Sequence, residues 1–170
     1  EVAPQVENAE AAWAYTSFGE PGKVTVQKTV EDLGITQVQF ANGVRLNIKP
    51  TDFKKDTIEM SASFGDGKLT APKDLPGLPL FTQFNFETGA LGKHSIDDLK
   101  RVLAGKTVDI NFSVGDDSFG LAGKTNRKNL RTQFQLLAAF LSDPGWRDDG
   151  LARFKMSLPV VYQQVNHTPE

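Results

Sequence analysis

Cysteine is absent from these 170 residues. Thiolate nucleophiles, disulfide staples and sulfur-ligated metal centres are excluded together. A domain of this size needs no disulfides, so the absence says nothing of compartment. Histidine is down to two, His94 and His167, with no HExxH pattern and no His pair at ligand spacing, which starves any zinc chemistry of donors. Basic excess is missing as well: 19 Lys and Arg stand against 21 Asp and Glu, a formal charge of -2. Without a basic footprint, no nucleic-acid partner is expected. No apolar run approaches the roughly eighteen residues of a membrane span, so membrane insertion is not expected either. The first residues, from Glu1, hold no basic and apolar targeting segment, so such a signal is expected to have been removed or to lie elsewhere.

What the chain does have is phenylalanine, twelve of them against two each of Trp, Tyr and Met. Phe contributes apolar area with no polar handle, which favours a scaffold over a reaction centre. A 39% apolar and 24% charged composition over this length suits one domain with its own core.

Residues 1–34 read as a lead-in or linker, with Ala9 to Ala14 a candidate short helix, a turn at Pro21-Gly22 and an edge strand over Lys23 to Thr29. A domain is expected over 35–158. Val38 and Phe40 share one strand face, and Val44, Leu46 and Ile48 share the next. A two-residue Asn42-Gly43 turn would set Phe40 against Arg45, whereas a three-residue loop, Ala41-Asn42-Gly43, sets Phe40 against Val44 and needs a left-handed residue that Gly43 supplies. Ile58, Met60, Ala62 and Phe64 alternate on a further strand. Pro79 fits the first turn of a short helix with Leu80, Phe81 and Phe84 as its apolar stripe. Ser95 and Asp98 form a capping-box pattern before a helix ended by Gly105. Two strands follow, with Val108, Ile110, Phe112 and Val114 alternating on the first, and Phe119 and Leu121 on the second. Asn126 caps a helix whose buried stripe is expected at Leu130, Phe134, Leu137, Ala138 and Leu141. A last helix from about Asp149 is expected to stop at Pro159, leaving 159–170 as a loose tail. The order predicts an α+β fold, a two-layer α/β sandwich with a largely antiparallel sheet covered by helices.

Candidate chemistry is thin. His94 sits before a helix and His167 in the terminal segment. Gly65-Asp66-Gly67 and Gly89-Ala90-Leu91-Gly92 do not match dinucleotide or phosphate-loop patterns, and Gly123-Lys124-Thr125 lacks the preceding glycine of a phosphate loop. The acidic pairs Asp97/Asp98, Asp116/Asp117 and Asp148/Asp149 are sequence neighbours, which do not face one another on a helix. Ser95 and Ser118 lack a nucleophile-elbow context. Trp146 and Arg147 are the most distinctive pair, with an interdomain contact or packing back on the same domain as the two readings.

The hairpin Phe40-Ala41-Asn42-Gly43-Val44-Arg45-Leu46, the strand ending at Gly65 and the segment Gly77 to Gly89 together resemble the pitrilysin/insulinase family, peptidase family M16, over about Ile35 to Arg147. The similarity points to a lobe from the second half of a bacterial tandem-repeat member, with the LuxS/MPP-like metallopeptidase fold. In the active half of such proteins an inverted motif, HxxEH, supplies two zinc ligands and a general base. Laid on Leu78-Pro79-Leu80-Phe81-Thr82-Gln83-Phe84, the resemblance puts Leu80 and Phe84 at the histidine positions and Gln83 at the base. The further downstream Glu ligand has no counterpart between Gly150 and Pro169. No catalytic, cofactor-binding or metal residue is therefore expected in this chain.

The resemblance implies a non-catalytic structural and substrate-enclosure lobe of a zinc metallopeptidase, with zinc in the catalytic half. That half would be its partner, with a peptide substrate enclosed between the two, self-association through an exposed docking surface and a periplasmic location. Leu80 and Phe84, one turn apart, are expected to become ordinary core. The alternatives are a protein-interaction or assembly module related to non-peptidase family members, and an enzyme of unrelated chemistry around His94.

Overall fold

The computed structural model describes residues 12–148 and 150–167. Contacts divide the chain into two compact units, Ser17–Thr57 and the combination of Glu1–Thr16 with Ile58–Glu170. The boundaries expected at 34/35 and 158/159 are not the ones observed. Each unit has its own reason.

In the smaller unit, β1 (Val24–Val30), β2 (Ile35–Phe40) and β3 (Arg45–Ile48) form an antiparallel sheet in the order β1-β2-β3. Residues up to 34 are not all a lead-in, because Glu31–Leu33 makes a single 3-10 turn and Gly34, at φ 61°, reverses the chain so that β1 lies against β2. β1 is an edge strand, with an irregularity between Val24 and Val26. The β2–β3 connection is the three-residue loop: the Phe40 N–H donates to the Val44 carbonyl at 2.9 Å, and Gly43 adopts φ 86°. Val38 is opposite Leu46, so the apolar positions align. Val24, Val26, Val44 and Ile48 of this unit are exposed.

The larger unit contains β4 (Ile58–Phe64), α1 (Leu78–Thr88), α2 (Ile96–Val102), β5 (Asn111–Val114), β6 (Phe119–Thr125), α3 (Leu130–Ser142) and α4 (Gly150–His167). Its sheet is antiparallel with order β4-β6-β5, and β4 keeps register with β6 from Ile58↔Thr125 to Phe64↔Phe119. The alternation on β4 is observed, with Ile58, Met60, Ala62 and Phe64 half-buried and Glu59, Ser61 and Ser63 exposed. α1 packs beside β5 and α3 on β6, which makes the second layer. The α+β class and antiparallel pairing are as expected, in two three-stranded sheets rather than one. Phe86, Leu91, Phe112, Leu121, Leu136 and Phe140 form the centre of the core, with the Phe86 and Phe112 rings stacked at 4.0 Å.

Tyr15 belongs to this core, and Trp13 packs against it. Tyr15 is 5% exposed, and residues 12–16 hold no helix; residues 9–11 of the candidate Ala9–Ala14 helix lie outside the described residues. α3 presents a different face from the expected one: Gln133, Leu136, Ala139 and Phe140 are buried, while Phe134 is 48% and Leu141 46% exposed. The register is off by about one residue, roughly 100° of helix rotation. Gln133 accounts for it. Its Nε2 donates to the Asp109 carbonyl at 2.6 Å and its Oε1 accepts from the Asp109 N–H at 3.0 Å. Extending the β5–β6 register would set Asp109 against Lys124, so the Gln133 amide stands where a ladder rung would be. β5 consequently starts at Asn111, and Val108 and Ile110 of the expected alternation precede it. A Cβ on Gly123 would overlap Gln133 Nε2, so the side chain enters only because residue 123 is glycine.

Pro159 does not end α4, which continues to His167. Proline deprives the helix of one N–H, the one that would reach the Lys155 carbonyl, and Lys155 is exposed, so water can serve that carbonyl. The tail expected over 159–170 is thus helical to 167, and 168–170 lie outside the described residues. Among the described residues, no helix is long and apolar enough to cross a membrane.

Candidate functional site

α1 carries the positions that matter most. Pro79 sits in its first turn as expected, where a missing N–H costs no intrahelical bond. Leu80 is 49% exposed, Gln83 is exposed and Phe84 is half-buried. Phe84 meets Phe154 of α4 at 5.4 Å between ring centroids, and Phe81 meets the same ring at 5.4 Å. The expectation that Leu80 becomes core is corrected: α1 turns Asn85 and Phe86 inward instead, which rotates Leu80 towards solvent.

Two hydrocarbon side chains and a neutral amide do not fit a zinc ion, since neither Leu80 nor Phe84 has a lone pair to donate and Gln83 is no base. Among the described residues, no three His, Asp or Glu side chains come together in a way that could hold a metal.

His94 is buried at 4% exposure, not a free loop residue. Its Nε2 accepts the Ala14 N–H at 3.1 Å, and Trp13 stacks on its ring at 5.4 Å. Tyr15 donates to Asp143 Oδ2 at 2.6 Å and accepts the Lys93 N–H at 2.9 Å. Burial first, and then the hydrogen bond to Asp143, raise the Tyr15 phenol above its ordinary range. Every polar atom named here is engaged in holding residues 12–16 in place. This cluster escaped the sequence because its members lie up to 128 positions apart. His167 closes α4, and its side chain lies outside the described residues.

Most of the remaining candidates make structural contacts. Ser95 accepts the Asp98 N–H and Asp98 reaches back to the Ser95 N–H, the expected capping box, and Arg101 adds an ion pair at 2.5 Å. Those Ser95 hydrogen bonds, then Arg101, hold the Asp98 carboxyl below the usual carboxylate range. Asp97 lies 4.0 Å from Lys100, Asp116 pairs with Lys68 at 3.0 Å, and Asp117 accepts from the Ser118 hydroxyl at 3.2 Å. Asp148 is exposed, and Asp149 lies outside the described residues. Gly123-Lys124-Thr125 is strand β6, as its sequence suggests. Gly67 is a turn residue at φ 55°. Gly89 and Gly145 are pressed against each other's carbonyls, so Gly89-Ala90-Leu91-Gly92 is a backbone junction.

Arg147 locks that junction, donating from Nε to the Gly89 carbonyl at 3.2 Å and from Nη2 to those of Leu91 at 2.9 Å and His94 at 3.1 Å. Trp146 is half-exposed, with its edge on Phe86 at 5.9 Å. The pair therefore packs back on its own unit. A shallow depression of about 430 Å³ on the solvent side of the β4-β6-β5 sheet is lined by Glu59, Ser61, Asp109, Asn111 and Lys124. Its charged side chains have partners: the Lys124 ammonium pairs with Glu59 at 2.7 Å, and the Asp109 carboxylate accepts from the backbone N–H of Lys124.

Against solved structures, the chain aligns over 93% of its length with the ferredoxin protease FusC, crystallised with Arabidopsis ferredoxin, at a TM-score of 0.76 and 22% identity, covering 18% of that chain. It aligns over 91% with the periplasmic protease PqqL from Escherichia coli at a TM-score of 0.77 and 18% identity, again covering 18%. The fold is that of M16-type proteases. The M16 resemblance read from the hairpin and the Gly77–Gly89 segment thus holds at the level of the backbone. In sequence, the chain is 23% identical over 138 residues to the chloroplastic stromal processing peptidase of Pisum sativum, spanning 79% of this chain and 11% of that protein. The chain therefore spans about one-ninth of the length of this relative. No family model matches it.

Proposed function

We propose that this chain is a non-catalytic structural and substrate-enclosure lobe of a zinc-dependent M16-type metallopeptidase. The observation that carries the reading is α1: the positions that the resemblance assigns to two zinc ligands and a base hold Leu80, Phe84 and Gln83, one exposed, one packed on Phe154 and one neutral. The M16 fold supports the family side of the reading, and the engagement of His94, Arg147 and the pairs Asp97/Asp98 and Asp116/Asp117 in structural contacts supports the non-catalytic side. In this reading zinc and hydrolysis belong to a separate catalytic half, a peptide is enclosed between the halves, and the location is periplasmic, as it is for PqqL.

Metal content and peptide hydrolysis, measured side by side on this chain and on the longer protein, test the proposal. Zinc and cleavage are expected with the longer protein alone. Zinc-dependent cleavage by this chain would overturn the placement of Leu80, Gln83 and Phe84.

A further inference from the structure

We propose that Asn42 is a site of spontaneous covalent modification, its side-chain amide converted to aspartate and isoaspartate by attack from the next residue, and that the β2–β3 loop sets the rate. Of the asparagines in the chain, Asn42 alone precedes a glycine. A side chain on the following residue shields its backbone nitrogen; Gly43 has none, and the space where a Cβ would stand is open. Residues 41–45 are exposed, so water reaches both groups.

The chemistry needs only water. The Gly43 nitrogen loses its proton and bonds to the side-chain carbon Cγ of Asn42, the Cγ–Nδ2 bond breaks, and ammonia leaves with a proton, closing a five-membered succinimide. Water then opens the ring. Cleavage between Cγ and the nitrogen leaves aspartate, and cleavage between the backbone carbonyl carbon and the nitrogen leaves isoaspartate, with the chain routed through the side chain. In the folded loop both reacting groups are occupied. The Gly43 N–H donates to the Phe40 carbonyl at 3.0 Å, and Asn42 Oδ1 accepts the Val44 N–H at 3.2 Å, while the Phe40 N–H closes the loop onto the Val44 carbonyl at 2.9 Å. The nitrogen must leave Phe40 and the carboxamide must leave Val44 before the new bond can form, so the reaction proceeds through local opening of the hairpin tip. The two products act differently on the sheet. Aspartate keeps an oxygen that can accept the Val44 N–H. Isoaspartate lengthens a three-residue loop by one backbone carbon, and the register that sets Val38 opposite Leu46 depends on that length. This chemistry is independent of the function proposed above.

Peptide mapping by mass spectrometry after incubation in mildly alkaline buffer tests the proposal. Wild type is followed both native and in denaturing urea, beside Leu46→Ala and Asn42→Gln. Leu46 is half-buried opposite Val38, so its truncation weakens β2–β3 pairing without touching the loop. Gln at position 42 would have to close a six-membered ring. Conversion at residue 42 should be about tenfold or more slower in the native protein than in urea, the scale of two hydrogen bonds that must open first. Leu46→Ala should convert faster than native wild type, reaching the rate in urea if it unfolds, and Asn42→Gln should show no conversion in the same peptide. Equal rates in native and unfolded wild type overturn control by the loop, and Leu46→Ala no faster than wild type overturns the opening step. No conversion in urea, or conversion that persists in Asn42→Gln, overturns the site itself.

Discussion

Tyr15 joins three parts of the chain through one hydroxyl, donating to Asp143 and accepting from Lys93 while its ring lies under the Lys93 ammonium at 5.2 Å. Because burial and the Asp143 bond raise its pKa, the native state keeps the phenolic proton at a pH where the unfolded chain has lost it. Stability from this source is complete below about pH 10, the unfolded value, and falls as pH rises towards the native one. Denaturant titrations between neutral and alkaline pH should show that decline in the wild type, and Tyr15→Phe should lack this component. Gln133 is the other decisive residue. Gln133→Leu leaves both the N–H and the carbonyl of Asp109 without their partner and should cost about 2–4 kcal/mol of unfolding free energy in urea.

At the scale of elements, the start of α2 and the junction after α3 behave differently. The capping box at α2 depends on an ionised Asp98, whose pKa lies below its ordinary value. Its contribution is present above the unfolded carboxylate range, near pH 4, and is lost as pH falls through the native value. Amide exchange in Ile96–Leu99 should therefore quicken on acidification, and Ser95→Ala should quicken it already at neutral pH. The junction around Gly89 and Gly145 depends on Arg147 and its three carbonyl acceptors. Arg147→Ala should lower the unfolding free energy by about 2 kcal/mol or more, with the fastest new exchange at the amides of residues 89–94. α3 shows how an element can be read correctly in kind and wrongly in phase. Its apolar residues cover more than one face, so Leu130, Phe134, Leu137 and Leu141 form as regular a series as the buried one. Only the sheet decides between them.

For the whole molecule, the test is whether chemistry can be restored by filling the vacant positions. Leu80→His, Gln83→Glu and Phe84→His together would recreate the motif on α1, yet no acidic residue lies between Gly150 and Pro169 to complete the ligand set. The triple variant should remain unable to hydrolyse peptides with zinc added, read out by cleavage of a casein digest. Hydrolysis would show that a ligand comes from elsewhere in the chain.

Several features were legible without coordinates: the three-residue loop at Gly43, the capping box at Ser95, the alternation of β4, Pro79 in the first turn of α1 and the M16 resemblance. Each depends on residues within a few positions of one another, where steric limits on φ and the period of helix or strand leave few choices. The inclusion of residues 12–16 in the larger unit, the burial of His94, the Gln133 rung and the three acceptors of Arg147 were not legible. These bring together groups 24 to 128 positions apart. A polar side chain has much the same sequence signature whether it meets water or a distant backbone group. Only the folded chain, which must find a partner for each buried donor and acceptor, decides which it meets.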